Sequence, residues 1–133
     1  MNDAPPIHEY VVAPGAPQPL GHYSPAVVTP DGTIWVSAQL PIGGSVTPDS
    51  AVREQAHQVL TNVVAIVEAA GGSAASVAKV TLYLTDIGDW ADVDAVFAEV
   101  LGVHRPARAV LQVVGLHHGF RVGAEAVGWR VRS

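Results

Sequence analysis

The stretch V-A-K-V-T-L-Y-L-T, Val77–Thr85, places Val80, Leu82 and Leu84 on one side and Lys79, Thr81 and Tyr83 on the other. A period of two sends successive side chains to opposite faces of a strand, so this segment is a strand with one buried face. The period then changes. Asp89 stands where a helix cap belongs, Trp90, Val93, Phe97 and Val100 or Leu101 recur at helical spacing, and Gly102 marks the end. Ala109–Val114 is a short apolar run that reads as a buried strand, with Arg108 at its mouth and Pro106 two residues earlier fixing the approach. H-H-G, His117–Gly119, is a turn, and Arg121–Arg132 is a final strand.

Upstream of that core, Asp49 or Ser50 is placed to cap a longer helix. Its apolar face is Val52, Ala56, Val59, Leu60, Val63, Val67 and Ala70, and Gly71–Gly72 ends it. Ala26–Thr29 and Thr33–Gln39 are β-branched runs joined by P-D-G, a hairpin signal because Asp-Gly tolerates positive φ. Ile7–Ala13 is a short strand, while Pro14–Pro19 and Pro41–Pro48 are loops. The order β-β-β-α-β-α-β-β predicts an α+β domain with both helices on one face of a mixed sheet.

The chain has 133 residues, enough for one domain over 1–133 with residues 1–13 as an N-terminal strand and arm. It is 49% hydrophobic and 14% charged, so part of its surface is expected to lie in an oligomer. Its net charge is −5 and Lys79 is the only lysine, which disfavours nucleic acid, whose phosphates call for a basic stripe. With no cysteine, disulfides, thiolate catalysis and Cys-ligated metals are excluded. The six histidines show no metal-binding spacing, so no metal is expected. The N-terminus carries no signal-peptide pattern and no apolar run is long enough to span a bilayer, so the expectation is a soluble cytoplasmic protein.

Six pieces now fall into a familiar order: G-H-Y-S-P-A-V at Gly21–Val27, W-V-S-A-Q-L-P at Trp35–Pro41, N-V-V-A-I-V-E-A-A-G at Asn62–Gly71, V-A-K-V-T-L-Y-L-T-D at Val77–Asp86, R-P-A-R at Arg105–Arg108 and V-G-A-E-A-V at Val122–Val127. Together they resemble the RidA/YjgF family of reactive-intermediate deaminases, from about Pro14 to about Val131. The resemblance implies a chorismate-mutase-like fold, a homotrimer with sites in the clefts between subunits, and hydrolysis of 2-imino acids or their enamine tautomers to 2-oxo acids and ammonia without a cofactor. The implied partners are a small carboxylate-bearing metabolite and further copies of the chain.

The local sequence leaves Arg108 two roles, an ion pair between subunits or a grip on a ligand. The P-A-R match implies the grip, which suits a planar guanidinium that takes a carboxylate through two parallel hydrogen bonds. Tyr23 matches the family's site tyrosine and can pack on a planar ligand while donating a hydrogen bond. Ser37, Ala38 and Gln39 stand for the family's S-G-Q, with Ala38 narrowing the pocket that glycine would leave open. The main departure is Gly123, where well-studied family members carry a glutamate held to activate water. Glycine has no proton acceptor to offer. Glu125 faces the same side of that strand, about 7 Å further along. Asp94, where an asparagine is common, His22, and His117–His118 are the other candidates for the missing base. Three functions follow: the deaminase, with Arg108, Glu125 and Asp94 as candidate catalytic residues; a divergent member acting on another imine, enamine or carbonyl metabolite; or a binding module that holds a carboxylate ligand without chemistry.

Overall fold

The computed structural model describes residues 7–131. Six strands and two helices alternate as expected: β1 (Glu9–Val11), β2 (Ala26–Val28), β3 (Thr33–Gln39), α1 (Val52–Ala69), β4 (Val77–Leu84), α2 (Trp90–Leu101), β5 (Ala107–Gln112) and β6 (Val122–Trp129). They form one sheet in the order β1-β2-β3-β6-β4-β5. β4 and β5 are parallel and every other pair is antiparallel, so the sheet is mixed.

Both helices cover one face. Val80, Leu82 and Leu84 of β4 are buried there against Val59, Val63 and Ile66 of α1 and Val93 and Val96 of α2 within one continuous core. The other side of β4 presents Lys79, Thr81 and Tyr83 to the open face, as the alternation of Val77–Thr85 requires. α1 ends in a Schellman arrangement: the amide of Gly72 donates to Val67 and that of Gly71 to Glu68, with Gly71 at φ +94. The P-D-G hairpin turn closes with Gly32 at φ +90.

Several local readings are corrected. β1 and β6 are shorter than Ile7–Ala13 and Arg121–Arg132, and Arg132 and residues 1–6 of the N-terminal arm lie outside the described residues. Neither Asp49 nor Ser50 caps α1. Ala51 holds that position, and the Ser50 hydroxyl accepts from the Thr47 amide instead. Asp89 holds the N-cap position of α2, as expected, but its side chain makes no capping hydrogen bond. Asp86 accepts from the Gly88 amide and starts a 3-10 turn that runs straight into α2, so the chain is already helical at Asp89.

β5 is displaced by two residues from the expected Ala109–Val114. It starts at Ala107 because pairing with β4 begins at Lys79, so Arg108 is the second residue of the strand and lies opposite Val80. It is an edge strand, half-exposed at Leu111, rather than a buried one. Trp90, expected in the core, is 43% exposed because no strand lies beyond β5 to cover it, and Val96 takes the inward position. α1 also buries two polar residues. Gln55 donates to the carbonyls of Pro48 and Ser50 and accepts from the Arg121 amide, and Asn62 donates to the carbonyls of Leu40 and Ile42. These bonds fasten the loops that border the site.

Candidate functional site

The candidate residues fall into three groups of side chains. The first surrounds Arg108. As an even-numbered residue of β5, in step with Val110, it lies on the helix face under α2. Its Nη1 donates to Asp94 Oδ1 at 2.7 Å, and its guanidinium carbon stands 4.9 Å from the Phe97 ring centre and 5.4 Å from that of Trp90. Two aromatic faces and a carboxylate therefore hold one cation at the rim of the sheet. The ion pair is partly exposed, 21% at Arg108 and 45% at Asp94, so solvent screens it and its contribution to stability is below about 1 kcal/mol. Among the described residues Nη1 alone of the guanidinium nitrogens has a protein partner. The cation borders an open cleft of about 520 Å³ with Phe97, His104, Arg105 and Pro106.

The second group lines a cavity of about 240 Å³ between the Pro17–Tyr23 loop, the end of β3 and the His117–His118 turn. Tyr23, Ala38, Gln39, His117 and His118 all border it. Its wall owes its shape to a bulge. Val36 pairs with Ala126 but Gln39 pairs with Ala124, so β3 carries one extra residue and the chain is re-aimed at Ser37–Ala38. Gln39 is buried and its amide donates to the Ser37 carbonyl, holding the bulge. Ser37 does not line this cavity. Its hydroxyl donates to the Ser24 carbonyl at 2.7 Å and its amide to that of Pro25, which fixes the chain just after Tyr23. His22 is exposed and also lies outside the cavity wall.

The third group is on the open face of the sheet. Glu125 accepts a hydrogen bond from the Tyr83 hydroxyl and lines a shallow groove with Ser37, Lys79, Thr81 and Trp35. That bond, with the nearby carboxylate charge, pushes the Tyr83 hydroxyl above its ordinary pKa because the carboxylate favours the protonated phenol. Gly123 lies opposite Tyr83 on β6. Its φ is outside the positive region, so the backbone does not demand glycine. A Cβ there would meet the Gln39 carbonyl at 3.4 Å and the Leu116 methyls at 3.5 Å, ordinary contact distances.

One chain thus keeps the groups apart. Gln39 aligns with Ala124, Ala124 with Leu82 and Leu82 with Val110, so β3 and the Arg108 strand are three strand spacings apart, roughly 14 Å. The cavity that Tyr23 borders and the cleft that Arg108 borders share no lining residue. The sequence reading missed the Trp90–Phe97 cradle, the bulge and the Tyr83 partner of Glu125. It also passed over Gln55 and Asn62, whose signal was present: an amide in the apolar stripe of a helix must find backbone partners. Among the described residues no three His, Asp or Glu side chains are grouped to hold a metal ion, and no helix is long and apolar enough to cross a membrane.

The fold and the ordered motifs define a class, and comparison with known proteins gives it a name. Residues 14–128 match the family described as endoribonuclease L-PSP. A 2-iminobutanoate/2-iminopropanoate deaminase of Bos taurus is 39% identical over 124 residues, 91% of this chain and 89% of the relative. The YjgF gene product of E. coli superimposes with a TM-score of 0.83 at 32% identity, covering 92% of this chain and 99% of the other. E. coli TdcF, crystallised with bound serine, gives 0.82 at 29% identity over the same shares. This chain belongs to the RidA/YjgF family.

Proposed function

We propose that this protein is a hydrolytic deaminase of reactive 2-imino acids and their enamine tautomers, giving 2-oxo acids and ammonia without a cofactor. A match to a deaminase of that name, 39% identical over 91% of the chain, carries the reading. The chemistry at Arg108 agrees with it. A guanidinium braced by Asp94, Trp90 and Phe97 keeps donors for a ligand carboxylate, and a carboxylate so held draws electrons from the adjacent imine carbon. A relative that holds serine, itself a small 2-amino acid, supports the same ligand class.

The working unit is a homotrimer in which the Arg108 cleft of one copy closes over the Tyr23 cavity of the next. The separation of the two groups within one chain supports this assembly, since neither alone offers both a cation and an enclosed pocket. Water attacks the imine carbon, the carbinolamine collapses, and ammonia leaves. Orientation by Arg108 and Tyr23 supplies much of the rate for so reactive a substrate.

A second reading rests on one observation. Asp94 already occupies Nη1 of Arg108 and adds negative charge beside the ligand, which favours a less acidic imine, enamine or carbonyl compound. A single assay separates the two. Ammonia release from 2-iminopropanoate generated in situ is expected to exceed the buffer rate and to be lost in Arg108→Ala. No acceleration by the wild-type protein would overturn the deaminase reading.

A further inference from the structure

We infer that His118 is the proton-transfer residue of the cavity that Tyr23 and Gln39 border; the inference rests on the deaminase reading. The cavity wall carries three titratable side chains, Tyr23, His117 and His118, and no carboxylate. Glu125, a carboxylate on the neighbouring strand, lines the groove on the open face instead and is engaged by Tyr83. Imine hydrolysis needs a group that removes a proton from water and returns one to nitrogen, and histidine is the side chain suited to both at neutral pH.

The backbone singles out which histidine. His118 sits at φ 64 and ψ 9, the one positive-φ residue other than glycine among the described residues. Those angles lie in the left-handed region, a place that favours glycine or asparagine. The turn is closed by the Gly119 amide donating to the Leu116 carbonyl. A histidine kept where glycine would fit without strain is a mark of function when it borders a cavity. His117 packs edge-on against it, with ring centres 4.1 Å apart.

The chemistry balances. The His118 imidazole takes one proton from water as the water oxygen bonds to the imine carbon. The π pair of the C=N bond moves to nitrogen, which receives that proton. The carbinolamine then expels ammonia as its hydroxyl proton passes through the same imidazole to the departing nitrogen and the C=O bond forms.

Gly123 offers a rescue site. A side chain there would start between the Gln39 carbonyl and Leu116, that is, between the cavity wall and the residue preceding the histidine turn. The test compares wild type, His118→Asn and His118→Asn/Gly123→Glu on 2-iminopropanoate, with melting temperatures as a folding control. Asparagine tolerates positive φ, so the turn is retained. The expected result is a fall in kcat of about 100-fold with KM changed by less than about threefold, and recovery of about tenfold or more in the double variant. His118→Gly, which relaxes the turn, is expected to lose as much kcat as His118→Asn. Wild-type-like kcat in either single variant, or a double variant no faster than His118→Asn, overturns the role of His118 while leaving the deaminase reading in place. A wild-type protein without turnover removes both.

Discussion

The Arg108 cleft and the Tyr23 cavity are built on opposite principles. At Arg108, side chains do the work: a carboxylate at 2.7 Å and two aromatic faces within 5.4 Å fix a cation at the edge of the sheet. At Tyr23, backbone does it: a bulge at Ser37–Ala38, a loop tied through Ser37 to Ser24, and a histidine turn at positive φ make an enclosure. One region supplies charge without enclosure and the other enclosure without charge. On the proposed reading, a ligand that needs both is met by two copies of the chain, each contributing one of the two regions.

The contrast can be broken first at Arg108. Arg108→Lys keeps the charge but loses the fork and its stacking between Trp90 and Phe97, so kcat/KM is expected to fall by roughly 30-fold, mostly in KM. A loss below about threefold would show that a point charge suffices and that the cradle is not built for a carboxylate. Asp94→Asn probes the same cation more gently. Freed from its internal anion, Arg108 is expected to bind a 2-imino acid severalfold more tightly, seen as a lower KM, while the melting temperature changes little because the pair is screened. A raised KM would mean that Asp94 orients the fork rather than competing for it.

The smallest effect lies on the open face. The Tyr83 hydroxyl is pushed above its ordinary pKa by Glu125. The raised value favours the folded state with the phenol protonated. That contribution is full below pH 10 and is lost as pH rises through the folded-state pKa. Tyr83→Phe is therefore expected to flatten the decline in stability above about pH 10 in denaturant titrations, with little change in activity. An unchanged alkaline profile would remove the Tyr83–Glu125 bond from the account, and a large loss of activity would move Glu125 into the site.

Much of this was legible in the residues themselves. The alternation through Val77–Thr85 and the helical stripe of Val52–Ala70 established the sheet, its buried face and the covering helices. P-D-G and Gly71–Gly72 marked turns where positive φ is needed. Edges were harder. Trp90 and Ala109–Val114 look apolar enough for a core, yet β5 ends the sheet and leaves them half covered. Apolar composition cannot say whether water or another copy covers such a surface. Asp49 and Ser50 have capping chemistry, but which residue starts a helix is settled by the preceding turn, and Ala51 holds that place in α1. The one-residue bulge in β3 left no mark in S-A-Q, although it decides where Ala38 and Gln39 face.

The central claim, that Arg108 of one copy works with the Tyr23 cavity of another, has a direct test in mixed assemblies. Arg108→Ala and Tyr23→Ala proteins, each inactive alone, are unfolded together, refolded at equal concentration, and assayed for ammonia release after native mass spectrometry confirms mixed trimers. If the site is shared, random assortment restores an intact Arg108–Tyr23 pair in about a quarter of the clefts, and activity returns in that proportion. Mixed trimers with no more activity than either parent would contradict it.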